Sequence, residues 1–273
     1  LEGKYLLSIT NTTRQPILTS LNNREVRQRV WEASANRAQS GEFNNTEIVS
    51  RLAQLRAERA KLLGYDNWAA YTLENNMAQN PKAVFDMLGS MVPAVVENTL
   101  KEQEAIQAMI REKGGDFDVQ PWDWEYYAEF VRQAKYDLDE NEVKKYFEFN
   151  RVLEDGVFYT LKELYGVTLK PRPDLPVYHP DVKAYEMFDA DGSSMAIFYA
   201  DYFAREGKRG GAWMSGFRSR MQTAQGLQKP ICYMVCNFTP PVAGQAALLT
   251  HNEVTTLFHE FGHGLHHMLT RVN

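Results

Sequence analysis

The stretch His259-Glu260-Phe261-Gly262-His263 constrains this chain more than any other, because it dictates a local backbone and a chemistry together. Residues four apart on an α-helix lie about 40° apart around the axis and roughly 6 Å along it, so both imidazoles share one face. That spacing lets the two rings reach one tetrahedral ion at about 2.0–2.1 Å. Glu260 lies one step round the helix, too far round to complete the ion's shell and well placed beside a water that the ion binds. Zinc lowers the pKa of such a water towards about 7, and a glutamate in that place takes its proton as general base. The pattern therefore predicts metal-assisted hydrolysis of a peptide bond, with His259 and His263 as zinc ligands and Glu260 as the catalytic base.

A string this short also arises by chance, as polar positions on an ordinary amphipathic helix. Its surroundings argue for the metal site. Val254, Leu257, Phe258, Phe261 and Leu265 cover most of the helical wheel, which predicts a buried helix. Two histidines and a glutamate inside such a helix need partners, since unpaired buried polar groups cost a few kcal/mol each. Five of the six histidines fall between 251 and 267. The longer H-E-x-x-H-x-x-G-x-x-H pattern is excluded, because positions 266 and 269 hold His266 and Leu269. His267 lies two turns from His259, about 12 Å along the axis, too far for one ion to bind both. His266 and His267 are read either as groups beside the ligands or substrate, or as plain polar surface. A third protein ligand is expected from another element, and no candidate inside the chain stands out.

Composition narrows the partners. Lys+Arg 30 against Asp+Glu 35 gives a net charge of −5, which offers no electrostatic case for nucleic acid. No apolar run approaches the roughly 18–20 residues that a membrane span needs. Cys232 and Cys236 fall in a run that reads as a strand, where they would sit about 13 Å apart, beyond disulfide reach. Buried thiols are expected there, in keeping with a reducing compartment. The chain opens on Leu1 and closes ten residues after His263, so an internal piece of a longer protein is expected, with any targeting signal out of view.

Along the chain, 1–165 reads as mainly helical, 166–250 as a connector and β-rich part, and 251–271 as the zinc-motif helix. A short strand is expected at 6–9 and a turn at Gln15-Pro16. Helices are expected over Asn23–Gln39, from an Asn45 cap to Gly64, from an Asp66 cap, and from Asn80-Pro81 to Lys113 with a kink at Pro93. Three more are expected over Trp122–Lys135, Glu140–Phe147 and Asn150–Tyr165, the last ended by Gly166. Lys170–Pro176 reads as a non-helical connector. Val182–Asp189 and Ser194–Tyr202 flank Asp189-Ala190-Asp191-Gly192, a hairpin turn rather than a calcium loop, because the loop's twelfth position holds Ala200 instead of glutamate. A further strand is expected over Pro230–Phe238. A peptide substrate can add itself to an exposed sheet edge. Gly211–Met214 and Ile231–Phe238 are the candidate edges, the second equally readable as a core strand.

Three motifs carry a family resemblance: F-H-E-F-G-H-G-L-H (258–266), F-Y-A-D-Y-F-A-R-E-G-K-R-G-G-A-W (198–213) and Y-H-P-D-V (178–182). With them the chain resembles the thimet oligopeptidase family of zinc peptidases over essentially its whole length. Asn11–Pro16, Gln120–Trp124 and Pro176–Pro180 resemble its bacterial peptidyl-dipeptidase branch. The helix His259–Arg271 equally resembles the oligopeptidase A branch. The resemblance implies a mainly helical, two-lobed, deep-cleft molecule with a small antiparallel sheet beside the metal helix. It also implies one zinc ion and cytoplasmic cleavage of short peptides, with release of C-terminal dipeptides in the first branch. By motif, His259 and His263 correspond to the zinc ligands and Glu260 to the catalytic glutamate. The family's third ligand, a glutamate about one helix further on, and its assisting tyrosine and histidine are expected beyond Asn273, and an N-terminal helical region is expected to be absent as well. The competing reading is a non-catalytic helical fragment that binds peptide or metal weakly without turnover; zinc content and peptide turnover in one sample separate the two.

Overall fold

The computed structural model describes Leu6, Leu7, Ile9 and residues 17–137, 139–241 and 244–272. The turn at Gln15-Pro16 and the motif Asn11–Pro16 lie outside this set, and the strand expected at 6–9 does so in part. About half of the chain is helical, with a small mixed sheet. The described residues form two compact units, divided after Asp137.

The first unit holds helices α1 (Arg24–Ala35), α2 (Thr46–Leu62), α3 (Trp68–Leu73), α4 (Pro81–Glu112) and α5 (Trp124–Tyr136). Local chemistry sets their ends. Asn23 and Asn80 each accept a backbone N–H through the side chain, and Pro81 occupies the start of α4, where its missing donor costs nothing. One cap differs from expectation: Asn67, not Asp66, caps α3, because its side-chain oxygen is the one that reaches the Ala70 N–H. Asn45 stands at the N-cap of α2 as expected, while the Asn44 side chain accepts the Thr46 N–H. Helix α4 runs on through Pro93 as one element. Ile106 and Ile110 pack on Tyr127 of α5, and Arg24 and Arg27 clamp the fully buried Asp123 at 2.8 and 3.1 Å.

The second unit carries α6 (Glu140–Lys144), a helical run α7 (149–165) whose middle, Val152–Phe158, is π-helical, and α8 (His251–Met268). Gly166 ends α7 at φ +72°, the left-handed conformation that favours glycine. Between α7 and α8 lie β1 (Thr168–Pro171), β2 (Lys183–Phe188), β3 (Ser194–Phe203), β4 (Trp213–Arg218), a small β5–β6 hairpin (Met221–Thr223, Gly226–Gln228) and β7 (Ile231–Phe238). The expected hairpin around Asp189–Gly192 forms, pairing β2 with β3. Lys170-Pro171 is not plain connector: it ends β1, which pairs with β2 at the sheet's margin, where proline is tolerated.

The sheet order is β1-β2-β3-β7-β4, and the expectation of an antiparallel sheet is corrected here. β7 inserts between β3 and β4, parallel to the first and antiparallel to the second. Cys232, Met234, Cys236 and Phe238 of β7 are buried on one face of the sheet, and Ile231, Tyr233 and Asn237 are half-buried on the other. It follows that β7 is interior and that β4 is an outer strand.

Candidate metal centre and its sheet edge

Helix α8 begins with a reciprocal cap. Thr250 Oγ1 accepts the Glu253 N–H at 3.1 Å, and the Glu253 carboxylate accepts the Thr250 N–H at 2.8 Å. From there Leu257, Phe261, Gly264, Leu265 and Met268 recur at the spacing of one helical stripe and are buried against the sheet. The Phe261 and Phe198 rings meet edge to face at 5.1 Å. Gly264 brings the helix close to the strands, since a Cβ there would lie 3.6–4.0 Å from Phe198, Met214 and Cys232.

This arrangement corrects the expectation of a buried helix with an apolar surface over most of the wheel. Phe258 falls outside the stripe and is 39% exposed, and His259, Gly262 and His263 are exposed. The histidines thus escape the penalty for burial, and they meet each other instead. His259 Nε2 and His263 Nε2 stand 3.2 Å apart, with ring centroids separated by 4.7 Å and planes crossing at 87°. Two nitrogens held at about 2.0–2.1 Å by one tetrahedral ion are about 3.3 Å apart. The pair therefore fits an ion with little adjustment; without one, the same distance is a hydrogen bond in which one ring donates. Glu260 is half-buried at the boundary between the exposed and buried faces. No cluster of three or more His, Cys, Asp or Glu side chains suited to a metal occurs among the described residues.

Of the two histidines that follow His263 on the helix, His266 is exposed. His267 turns to the sheet, where its Nε2 donates to the Arg218 carbonyl of β4 at 3.2 Å. Cys232 and Cys236 are free and buried, and burial pushes both thiols up to about 12.

On β3, separated from β4 by β7, sits a polar group that reasoning from sequence missed. Asp201 on β3 is 2% exposed and accepts from both terminal nitrogens of Arg205 at 2.7 and 2.8 Å, from Lys208 Nζ at 2.8 Å and from the Tyr178 hydroxyl at 3.0 Å. Burial pushes its carboxyl up, but the hydrogen bonds from Arg205 and Lys208 outweigh that and hold it below the ordinary carboxylate range. Burial, with the Asp201 hydrogen bond second, pushes Tyr178 up to about 12. Lys208 also ties the carbonyls of Asp201 and Phe203, so this cluster folds the turn that delivers the chain to β4. The readable signal was an aspartate within the β3 run, on the face opposite Ala196, Phe198, Ala200 and Tyr202, followed four residues later by arginine.

Truncating Asp201 to alanine should strand two cations and destabilise the unit by about 3–5 kcal/mol, measured by urea unfolding. A lowered folded pKa means that the carboxylate's contribution is present above the ordinary value of about 3.9 and is lost as pH falls through the folded one. Acid sensitivity below about pH 4 should therefore be weaker in Asp201→Asn than in wild type.

Residues 17–273 match the profile of Peptidase family M3. The chain is 46% identical over 267 residues to dipeptidyl carboxypeptidase of Salmonella typhimurium, covering 97% of this chain and 39% of that protein. The Escherichia coli dipeptidyl carboxypeptidase is 44% identical over 272 residues, covering 99% of this chain and 40% of that protein. Oligopeptidase A of Escherichia coli is 41% identical over 278 residues, covering 100% and 41%. The chain spans about two fifths of the length of these relatives. It belongs to Peptidase family M3.

Proposed function

We propose that this chain carries the zinc-binding helix and a substrate-aligning strand of a peptidase that removes dipeptides from the C-termini of short peptides. The observation that carries the proposal is the pair of exposed imidazole nitrogens 3.2 Å apart, with Glu260 next in sequence to one of them. His259 and His263 would hold the ion. When bound, zinc supplies Lewis-acid polarisation of a water and of the scissile carbonyl. Glu260 takes a proton from the attacking water and returns it to the departing amide nitrogen as the C–N bond breaks. The outer strand β4 packs beside α8, and its outward backbone groups suit an extended peptide. The proposal keeps the two-lobed, deep-cleft architecture and the third ligand, a glutamate beyond Asn273, that the family resemblance implies.

Dipeptide release, rather than internal cleavage, is supported by the identities of 46% and 44% to the two dipeptidyl carboxypeptidases, against 41% to oligopeptidase A. The free, buried Cys232 and Cys236 suit the cytoplasm, which is part of the same proposal. Mass spectrometry of products from a nine-residue peptide should show successive loss of two C-terminal residues. Internal fragments appearing first, from a C-terminally amidated peptide as readily as from a free one, would instead favour the oligopeptidase reading.

A further inference from the structure

We infer that His267 is a positioning residue that clips the outer strand β4 to the metal helix and so sets where a peptide on that strand lies relative to His259 and His263. The inference rests on the peptidase reading above for the peptide, and on the geometry alone for the clip.

Two independent features of the structure point to this role. The first is the hydrogen bond from His267 Nε2 to the Arg218 carbonyl, which joins α8 to the last residue of β4 across 49 positions of sequence. A carbonyl can only accept, so Nε2 carries the proton. The second is Gly216. A Cβ built there would stand 2.7 Å from His267 Cε1 and 3.2 Å from both ring nitrogens, so the imidazole lies directly on the strand's backbone. Only glycine leaves room for the ring in that position.

The location makes the contact consequential. Among the described residues β4 is bonded on one side only, to β7, and its register slips between Gly216 and Arg218. An outer strand with a register irregularity is the part of a sheet most easily loosened. His267 grips it at that irregularity. It also stands one helical turn beyond His263, so the strand is tied to the same helix that presents the two imidazole ligands. At this end of the chain the Arg271 guanidinium binds Asp189 of the β2–β3 turn at 2.7 Å, whereas the Arg271 carbonyl accepts from Arg220, just past β4, at 3.4 Å, so truncating the Arg271 side chain removes only the tie to the turn. That tie supplies an internal control.

The test compares wild type, His267→Ala, His267→Gln, Gly216→Ala and Arg271→Ala in the zinc-loaded, full-length enzyme. Hydrogen exchange followed by mass spectrometry reads the strand, and steady-state kinetics on a fluorogenic peptide read its use. His267→Ala should speed exchange across Trp213–Arg218 by about tenfold, raise KM severalfold more than it lowers kcat, and leave zinc content unchanged. Gly216→Ala should do the same by displacing the ring. His267→Gln, which keeps an N–H donor, should recover part of both effects, and Arg271→Ala should leave β4 exchange unaltered. Unchanged exchange in both His267→Ala and Gly216→Ala would overturn the clip. Faster exchange with unchanged KM and kcat would overturn the positioning role. Absence of zinc-dependent peptide turnover in wild type would overturn the peptidase reading, and the positioning role with it, while exchange would still decide the clip.

Discussion

Replacing Glu260 with glutamine should leave zinc bound and remove most peptide hydrolysis, a loss of about 10²–10⁴-fold in kcat. The amide keeps the volume and the half-buried position of the carboxylate, and it cannot accept the water's proton. His259 and His263 are untouched by the change, so bound zinc should be retained. Because the proton transfer occurs in the transition state, kcat and kcat/KM should fall together while peptide binding changes little. Stopped or initial-rate assays with a fluorogenic peptide, alongside elemental analysis for zinc, measure both halves of this expectation. A glutamine enzyme with near wild-type kcat would mean that another group deprotonates the water.

The second large effect concerns the metal itself. Alanine at 259 or 263 leaves one imidazole where two converge at 3.2 Å, so zinc should be lost on dialysis and activity with it. Folding should survive, because both side chains are exposed while the stripe Leu257, Phe261, Leu265 and Met268 anchors the helix. Circular dichroism should therefore match wild type in both variants. Zinc uptake should also weaken on acidification, since protons compete with the metal for the ring nitrogens. Stoichiometric zinc in both alanine variants would remove His259 and His263 from the ligand set.

Much of this was legible in the amino-acid order, and the misses have physical causes. The i, i+4 histidines could be read because helix geometry alone brings them together. The β2–β3 hairpin could be read because Asp-Gly fixes a turn. The helix start was equally readable, and Thr250-His251-Asn252-Glu253 fixes it at His251 through a reciprocal cap. Strand order was not legible: nothing local to 231–238 says that this segment inserts between β3 and β4, because pairing partners are settled by the whole sheet. The exposure of His259 and His263 was also obscured, since Phe258, itself 39% exposed, widened the apolar part of the wheel. The Asp201 cluster required residues 178, 201, 205 and 208 to meet in space, and only the fold brings Tyr178 to β3.

The most direct test of the account is to titrate zinc into metal-free full-length enzyme and follow peptide hydrolysis in the same cuvette, for wild type and Glu260→Gln. The account predicts turnover that rises in proportion to bound zinc and saturates at one equivalent, with the glutamine enzyme taking up the same zinc and hydrolysing almost nothing. Hydrolysis by the metal-free enzyme, or equal zinc-dependent hydrolysis by both proteins, would contradict it.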